Sequence, residues 1–158
     1  MPKILIVGNE EFEFPLENEN AGWGESVTDW ATSVSDALLT VQQPNDITRS
    51  TAAILNNIAA PTAIPGFLFD TSEVISINSE YIITRTTVSP ANNLVESGTI
   101  QGNYNGTDWS ITVDSINNAG VTFDITSGGQ VTYTSTNITG SSYAGQIIFR
   151  AKVFNEDE

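Results

Sequence analysis

Five carboxylates of this 158-residue chain lie within or beside its expected strands: Glu80, Glu96, Asp108, Asp114 and Asp124. Two of them held about 5 to 10 Å apart would supply the acid and base, or acid and nucleophile, of a glycoside hydrolase. Nothing in their spacing selects a pair, and acids at strand edges ordinarily face water or an arginine. The stretch "NYNGTD" offers oxygen donors at Asn103, Asn105 and Asp108, yet it lacks the alternating acids of a calcium loop. Asn105-Gly106 reads instead as a tight hairpin turn. Histidine and cysteine are both absent. That removes Ser-His-Asp triads, His metal sites, thiolate nucleophiles and most zinc sites. The expectation is a protein with no catalytic residues, no metal and no cofactor: not an enzyme.

Five basic residues stand against nineteen acidic ones, a net charge of −14. Such a chain repels nucleic acid backbones, so no nucleic acid partner is expected. Eight of the acids fall in residues 1–36 and three in the last three positions, as solvated faces do. Arg85, Arg150 and Lys152 lie within expected strands and read as ion-pair partners, an arginine pairing bidentately with Glu80 or Glu96. Trp23, Trp30 and Trp109 could form a sugar-stacking platform, but for Trp30 and Trp109 core or interface is favoured. The triplets "NGT" at Asn105 and "NIT" at Asn137 match a glycosylation acceptor, a match read as accidental without a secretory signal. The opening "MPKILIVGNEEFEFP" has one lysine and a five-residue apolar run broken at Gly8, too short for a secretory signal. No apolar run approaches the roughly 18 residues of a membrane span, so no membrane association is expected.

Behind these residues stand the elements that must place them. Lys3–Val7 and Glu11–Phe14 form an expected hairpin, closed by Pro15. "ESVTDWATSVSDALLTV", Glu25 to Val41, has the period of an amphipathic helix: Val27, Trp30, Val34, Ala37 and Val41 make a seam, widened by Ala31 and Leu38. Ser26 and Asp29 resemble a capping box, and Pro44 bars continuation. So short a helix is marginal alone and needs a partner, either its own sheet or the same helix of another copy. Residues 44–66 read as a linker with a helical turn, closed by Pro61 and Pro65. From Phe67 onward short branched-rich runs follow one another, with turn signals about every ten residues: "VISIN", "YIITRTTV", "LVESGTIQGNY", "WSITV", "VTFDIT", "QVTYTS" and "QIIFRAKVF". In the last, Ile147, Phe149, Ala151 and Val153 share one face, and Ile148, Arg150, Lys152 and Phe154 the other. The fold class is mainly β: an N-terminal β-hairpin and short α-helix (1–43), a linker (44–66), then an antiparallel β-sandwich or jelly-roll-like domain (67–158).

Three stretches carry a family likeness. They are "VGNEEFEFPLENENAGWGESVTDWATSVSDAL" (7–38), "IPGFLFDTSEVISINSEYIITRTT" (64–87), and "AGVTFDITSGGQVTYTSTNITG" (119–140) followed by "IIFRAKV" (147–153). Together they resemble small structural proteins of tailed bacteriophages, which are typically homotrimers. The resemblance implies that three helices pack Val27, Trp30, Val34, Ala37, Leu38 and Val41 about one axis. It also implies that the hairpin docks on the particle through Ile4, Ile6, Phe12 and Phe14. The partners it implies are further copies of the chain and other virion proteins, such as the major capsid protein or tail and fibre proteins. The location is then the virion, assembled in the cytoplasm of the bacterial host. A capsid-decorating or head-fibre role comes first, because the chain is short and lacks a shaft. A tail-fibre or receptor-binding module that meets host surface glycans is the alternative.

Overall fold

The computed structural model describes residues 3–7, 10–14, 28–35 and 45–155. The chain divides into two compact units, Met1–Pro44 and Asn45–Glu158. In the first, β1 (Lys3–Val7) and β2 (Glu10–Phe14) pair antiparallel, with Leu5 opposite Phe12 and Ile6 opposite Glu11. Residues 28–35 form the helix α1, where the Thr32 hydroxyl donates to the Thr28 carbonyl at 2.9 Å.

The second unit is the expected antiparallel sandwich. Its strands are β3 (Ile47–Ala53), β4 (Ile58–Leu68), β5 (Val74–Val88), β6 (Ala91–Tyr104), β7 (Trp109–Ile116), β8 (Val121–Ile125), β9 (Gln130–Ser135) and β10 (Ala144–Asn155). Five strands in the order β3-β10-β5-β6-β7 make one sheet, and β4-β9-β8 make the other. The alternation read in β10 holds: Ile147, Phe149, Ala151 and Val153 are buried in the core. There they join Ile77, Ile83 and Ile100 of the same sheet and Ile64, Phe67, Phe123, Val131 and Tyr133 of the other. Phe67 stacks on Phe149 with ring centroids 4.1 Å apart, one of the contacts that close the layers. Two turns follow their sequence signals. Asn105 Oδ1 accepts the N–H groups of Thr107 and Asp108 at 2.9 Å, closing β6 to β7. The "SGG" turn joins β8 to β9.

Two expectations are corrected. The segment 44–66 is no linker with a helical turn: β3 and most of β4 lie in it, and Ala52, Ile54 and Ile64 are core residues. Pro61 and Pro65 are tolerated because β4 is an edge strand whose register slips around each of them. A missing N–H costs little at such places. The runs 74–78 and 81–88, read as two strands, are one strand of fifteen residues. Ser79 and Glu80 keep the two-residue period, Ser79 inward and Glu80 outward, and the Ser79 hydroxyl donates to the Arg150 carbonyl at 2.8 Å.

One glycine in β6 is required by close approach. A Cβ at Gly98 would collide with the Asp114 carbonyl oxygen and sit 2.9 Å from the Tyr81 hydroxyl. Gly98→Ala should therefore cost about 1–3 kcal/mol of unfolding free energy, the range of an overpacked core. Gly128→Ala, whose new methyl meets only Thr126 Oγ1 at 3.9 Å, should cost less than about 0.5 kcal/mol. Urea titrations compare them, and equal losses would contradict the packing.

Candidate functional site

Two constellations of polar residues lie on the five-stranded sheet, one on each face. Inside, Arg85 of β5 is fully buried. Its Nε donates to the Tyr143 hydroxyl at 3.0 Å. Its Nη1 donates to the carbonyl of Ala119 at 2.5 Å. Its Nη2 donates to the Thr136 carbonyl at 2.5 Å and to Asn56 Oδ1 at 3.0 Å. The Tyr143 ring lies 5.6 Å from the guanidinium carbon, within cation–π range. Glu96 of β6 is 3% exposed. It accepts the Tyr81 hydroxyl at 2.8 Å and the Ala119 N–H at 2.6 Å. Ala119 thus gives its N–H to the carboxylate and its carbonyl to the guanidinium, so the two buried charges are bridged by one residue. The expected Arg85–carboxylate ion pair is corrected: among the described residues the ion pair is Arg150–Glu80, on the outer face. Carbonyls displace carboxylates around Arg85 because the loops before β8 and after β9 bring their backbone acceptors there.

Outside, a trough of 780 Å³ crosses the same sheet. Its floor is a row of three isoleucines, interrupted by Ser97, running across the strands. Ile148 pairs with Ile82, Ile82 with Ser97, and Ser97 with Ile116. Ile82 and Ile116 are 50% and 70% exposed, an unusual apolar content for an outer face. Beside it runs a charged row: Arg150 pairs with Glu80, Glu80 with Thr99, and Thr99 with Asp114. Where β3 meets β10, the register passes from Phe149/Ser50 to Ala151/Ile47, so Thr48 and Arg49 together oppose Arg150. This bulge brings Arg49 to the rim of the trough.

The residues singled out in sequence scatter. Trp30 and Val34 are half-buried on α1, while Asp29, Ala31 and Ser35 are exposed. Val27, Ala37, Leu38 and Val41 lie outside the described residues. In the hairpin, Ile4 and Ile6 stand opposite Glu13 and Glu11, whereas Phe12 and Phe14 stand opposite Leu5 and Lys3. The four proposed docking positions therefore belong to alternate sets. Among the carboxylates, Glu80 and Asp114 share the trough and Glu96 is interior. Asp108 is exposed at the β6–β7 turn, and Asp124 is exposed on β8. Glu80 and Asp114 are two strand spacings apart, roughly 10 Å, but Glu80 takes the guanidinium of Arg150 at 2.5 Å. Trp109 is 9% exposed, packed beside Phe69 and Tyr104, and belongs to no surface platform. Sequence reasoning missed Arg49, Ile82 and Ile116. For Ile82 the available signal was the apolar character of both faces in "YIITRTTV"; Arg49 and Ile116 lie in runs that carry no such signal.

No described group of His, Cys, Asp and Glu residues is arranged to hold a metal ion. No described helix is long and apolar enough to cross a membrane. No protein-family description matches the chain, and no curated protein matches it. One solved structure it resembles is the tailspike protein of Acinetobacter phage vB_ApiP_P1, at 12% identity and a TM-score of 0.40. The likeness covers 68% of this chain and 21% of that one, so the chain spans about a fifth of the tailspike's length.

The interior network generates two expectations. Arg85→Met should lose about 3–5 kcal/mol in urea unfolding, the cost of breaking a buried polar assembly that leaves a charge and carbonyls unsatisfied. A loss under about 1 kcal/mol would mean the clamp is dispensable. Burial first, then Glu96, raises the Tyr81 phenol well above its ordinary value of 10.0. Because the folded form holds that proton more tightly, its contribution is complete below pH 10 and fades as pH climbs above it. Wild type should therefore lose stability more steeply above pH 10 than Tyr81→Phe; parallel curves would contradict this.

Proposed function

We propose that the chain is a non-enzymatic structural protein of a tailed-phage virion, a homotrimer that decorates the capsid or forms a short head fibre. In this reading the N-terminal hairpin docks on the particle, α1 gathers the copies, and the sandwich projects. The observation that supports it best is the direction in which the β-unit turns its polar groups. Arg85 and Glu96 point inward and are engaged by backbone and tyrosine hydroxyls. A carboxylate meant to act as a general acid needs shelter beside a cleft, whereas the trough carboxylate Glu80 is 58% exposed and already paired. Such an arrangement suits a rigid module whose work is to be held and displayed. The three sequence stretches described above supply the virion setting. Partial burial of Trp30 and Val34 fits a helix that shelters one face. A glycan-binding tip is less well supported, since Trp109, Tyr81 and Tyr133 are all buried.

Trp30→Asp tests the assembly. It places a charge on the seam and should convert the oligomer to monomer or aggregate in light scattering. A variant that keeps the wild-type mass would remove α1 as the element that holds the copies together. A chain lacking residues 1–15 should keep its oligomeric mass yet fail to co-sediment with particles; continued co-sedimentation would overturn the docking role of the hairpin.

A further inference from the structure

We infer that the outer face of the five-stranded sheet is a contact between copies of this chain, with Arg49 of one copy meeting Asp114 of the next. The charged row across that face has a polarity. Arg49 stands at the β3 side, Arg150 and Glu80 neutralise each other in the middle, and Asp114 stands on the edge strand β7. Among the described residues neither Arg49 nor Asp114 meets an opposite charge within ion-pair distance. They cannot reach each other in one chain, because four strand spacings, roughly 19 Å, lie between β3 and β7. A second copy set head to tail in the same sense pairs one end of each row, and a closed ring of copies pairs both ends of every row. The two ends of the row are complementary to each other, as a head-to-tail contact between identical chains requires.

The neighbouring aliphatic row gives that contact its apolar part. Ile82 and Ile116 are exposed, Ile148 is half-buried, and Val95 of β6 is 45% exposed on the same face. No aromatic side chain stands on this floor to stack on a sugar ring; the aromatic residues that line the trough, Tyr81 and Phe149, are buried on the core side of their strands. Charge also narrows the choice of occupant. Arg49, Arg150 and Lys152 are the chain's cations on the outer face of β3 and β10, in a molecule carrying −14. Like-charged copies repel, so a contact that sets the rare cation of one against an acid of the next offsets that repulsion where it matters. This inference takes only the idea of self-association from the proposed function; it does not depend on α1.

The absence of cysteine gives a clean test on the full chain. In an Arg49→Cys/Asp114→Cys variant, a short bismaleimide should link chains, seen as covalent multimers on a denaturing gel, while each single variant stays monomeric. A ladder that closes at three chains supports the sheet contact together with the trimer. One that closes at two supports the contact and overturns the threefold count. Monomer alone overturns the contact and leaves a trimer held by α1 standing. A charge exchange guards against a misfolded cysteine variant. Arg49→Glu should dissociate at about tenfold higher protein concentration than wild type at low salt, and Arg49→Glu/Asp114→Lys should recover. If the exchange fails to recover what the single variant lost, the pairing is wrong.

Discussion

A guanidinium that never reaches water fixes how the two sheets of the β-unit meet. Arg85 sits on the long central strand β5 and is bound by backbone carbonyls that lie 34 and 51 residues away in sequence. Isolated burial of such a charge would be prohibitive. It is tolerated because nearly every donor of the fork finds an oxygen, and because Glu96 lies one residue away through Ala119. The geometry leaves little slack. Gly120 adopts φ +71°, and a Cβ there would collide with Thr136 Oγ1 and approach Arg85 Nη1 at 3.1 Å. The loop entering β8, the loop leaving β9 and the turn after β3 are thereby gathered on one side chain. The hydrophobic layer of Phe67, Phe149 and the inward isoleucines supplies the area, and the clamp supplies the register between layers.

That division explains why the two faces of one sheet differ so much. On the inner face polar groups are engaged by the chain itself. On the outer face, a strand period of two brings Ile82, Ile148 and Ile116 into one row and the charges into the next. A single bulge between β3 and β10 then displaces Arg49 to the rim. An acidic β-unit whose exposed cations, Arg49, Arg150 and Lys152, are gathered on one sheet face is polar in the electrostatic sense. Screening by salt weakens the repulsion of the remaining acids over about 10 Å at 0.1 M, so in the proposed self-association short contacts with the right signs decide how copies meet.

Much of this architecture is legible in the order of the residues. The alternation in "QIIFRAKVF" assigns each β10 residue to its face, the Asn-Gly pair marks the β6–β7 turn, and the acid-laced phenylalanines of β2 mark a hairpin. What stays hidden has physical causes. Pro61 and Pro65 signal a break wherever a central strand is assumed, yet an edge strand with a slipping register accommodates them. Ser79 and Glu80 look like a turn by composition, whereas their neighbours across β10 and β6 hold them extended. The partners of Arg85 are backbone carbonyls, and no residue type announces a carbonyl, so a carboxylate is the natural but wrong expectation. For the seam of Val27 to Val41, the described helix reaches only Trp30 and Val34, and the sequence period remains the ground for the rest.

The most direct measurement is the mass of the intact, unmodified chain in solution by sedimentation equilibrium at moderate salt. Self-association of an acidic display module predicts a species of three chains of 17.0 kDa each, persisting on dilution into the low micromolar range. A single species of 17.0 kDa at every concentration would contradict the account at its root.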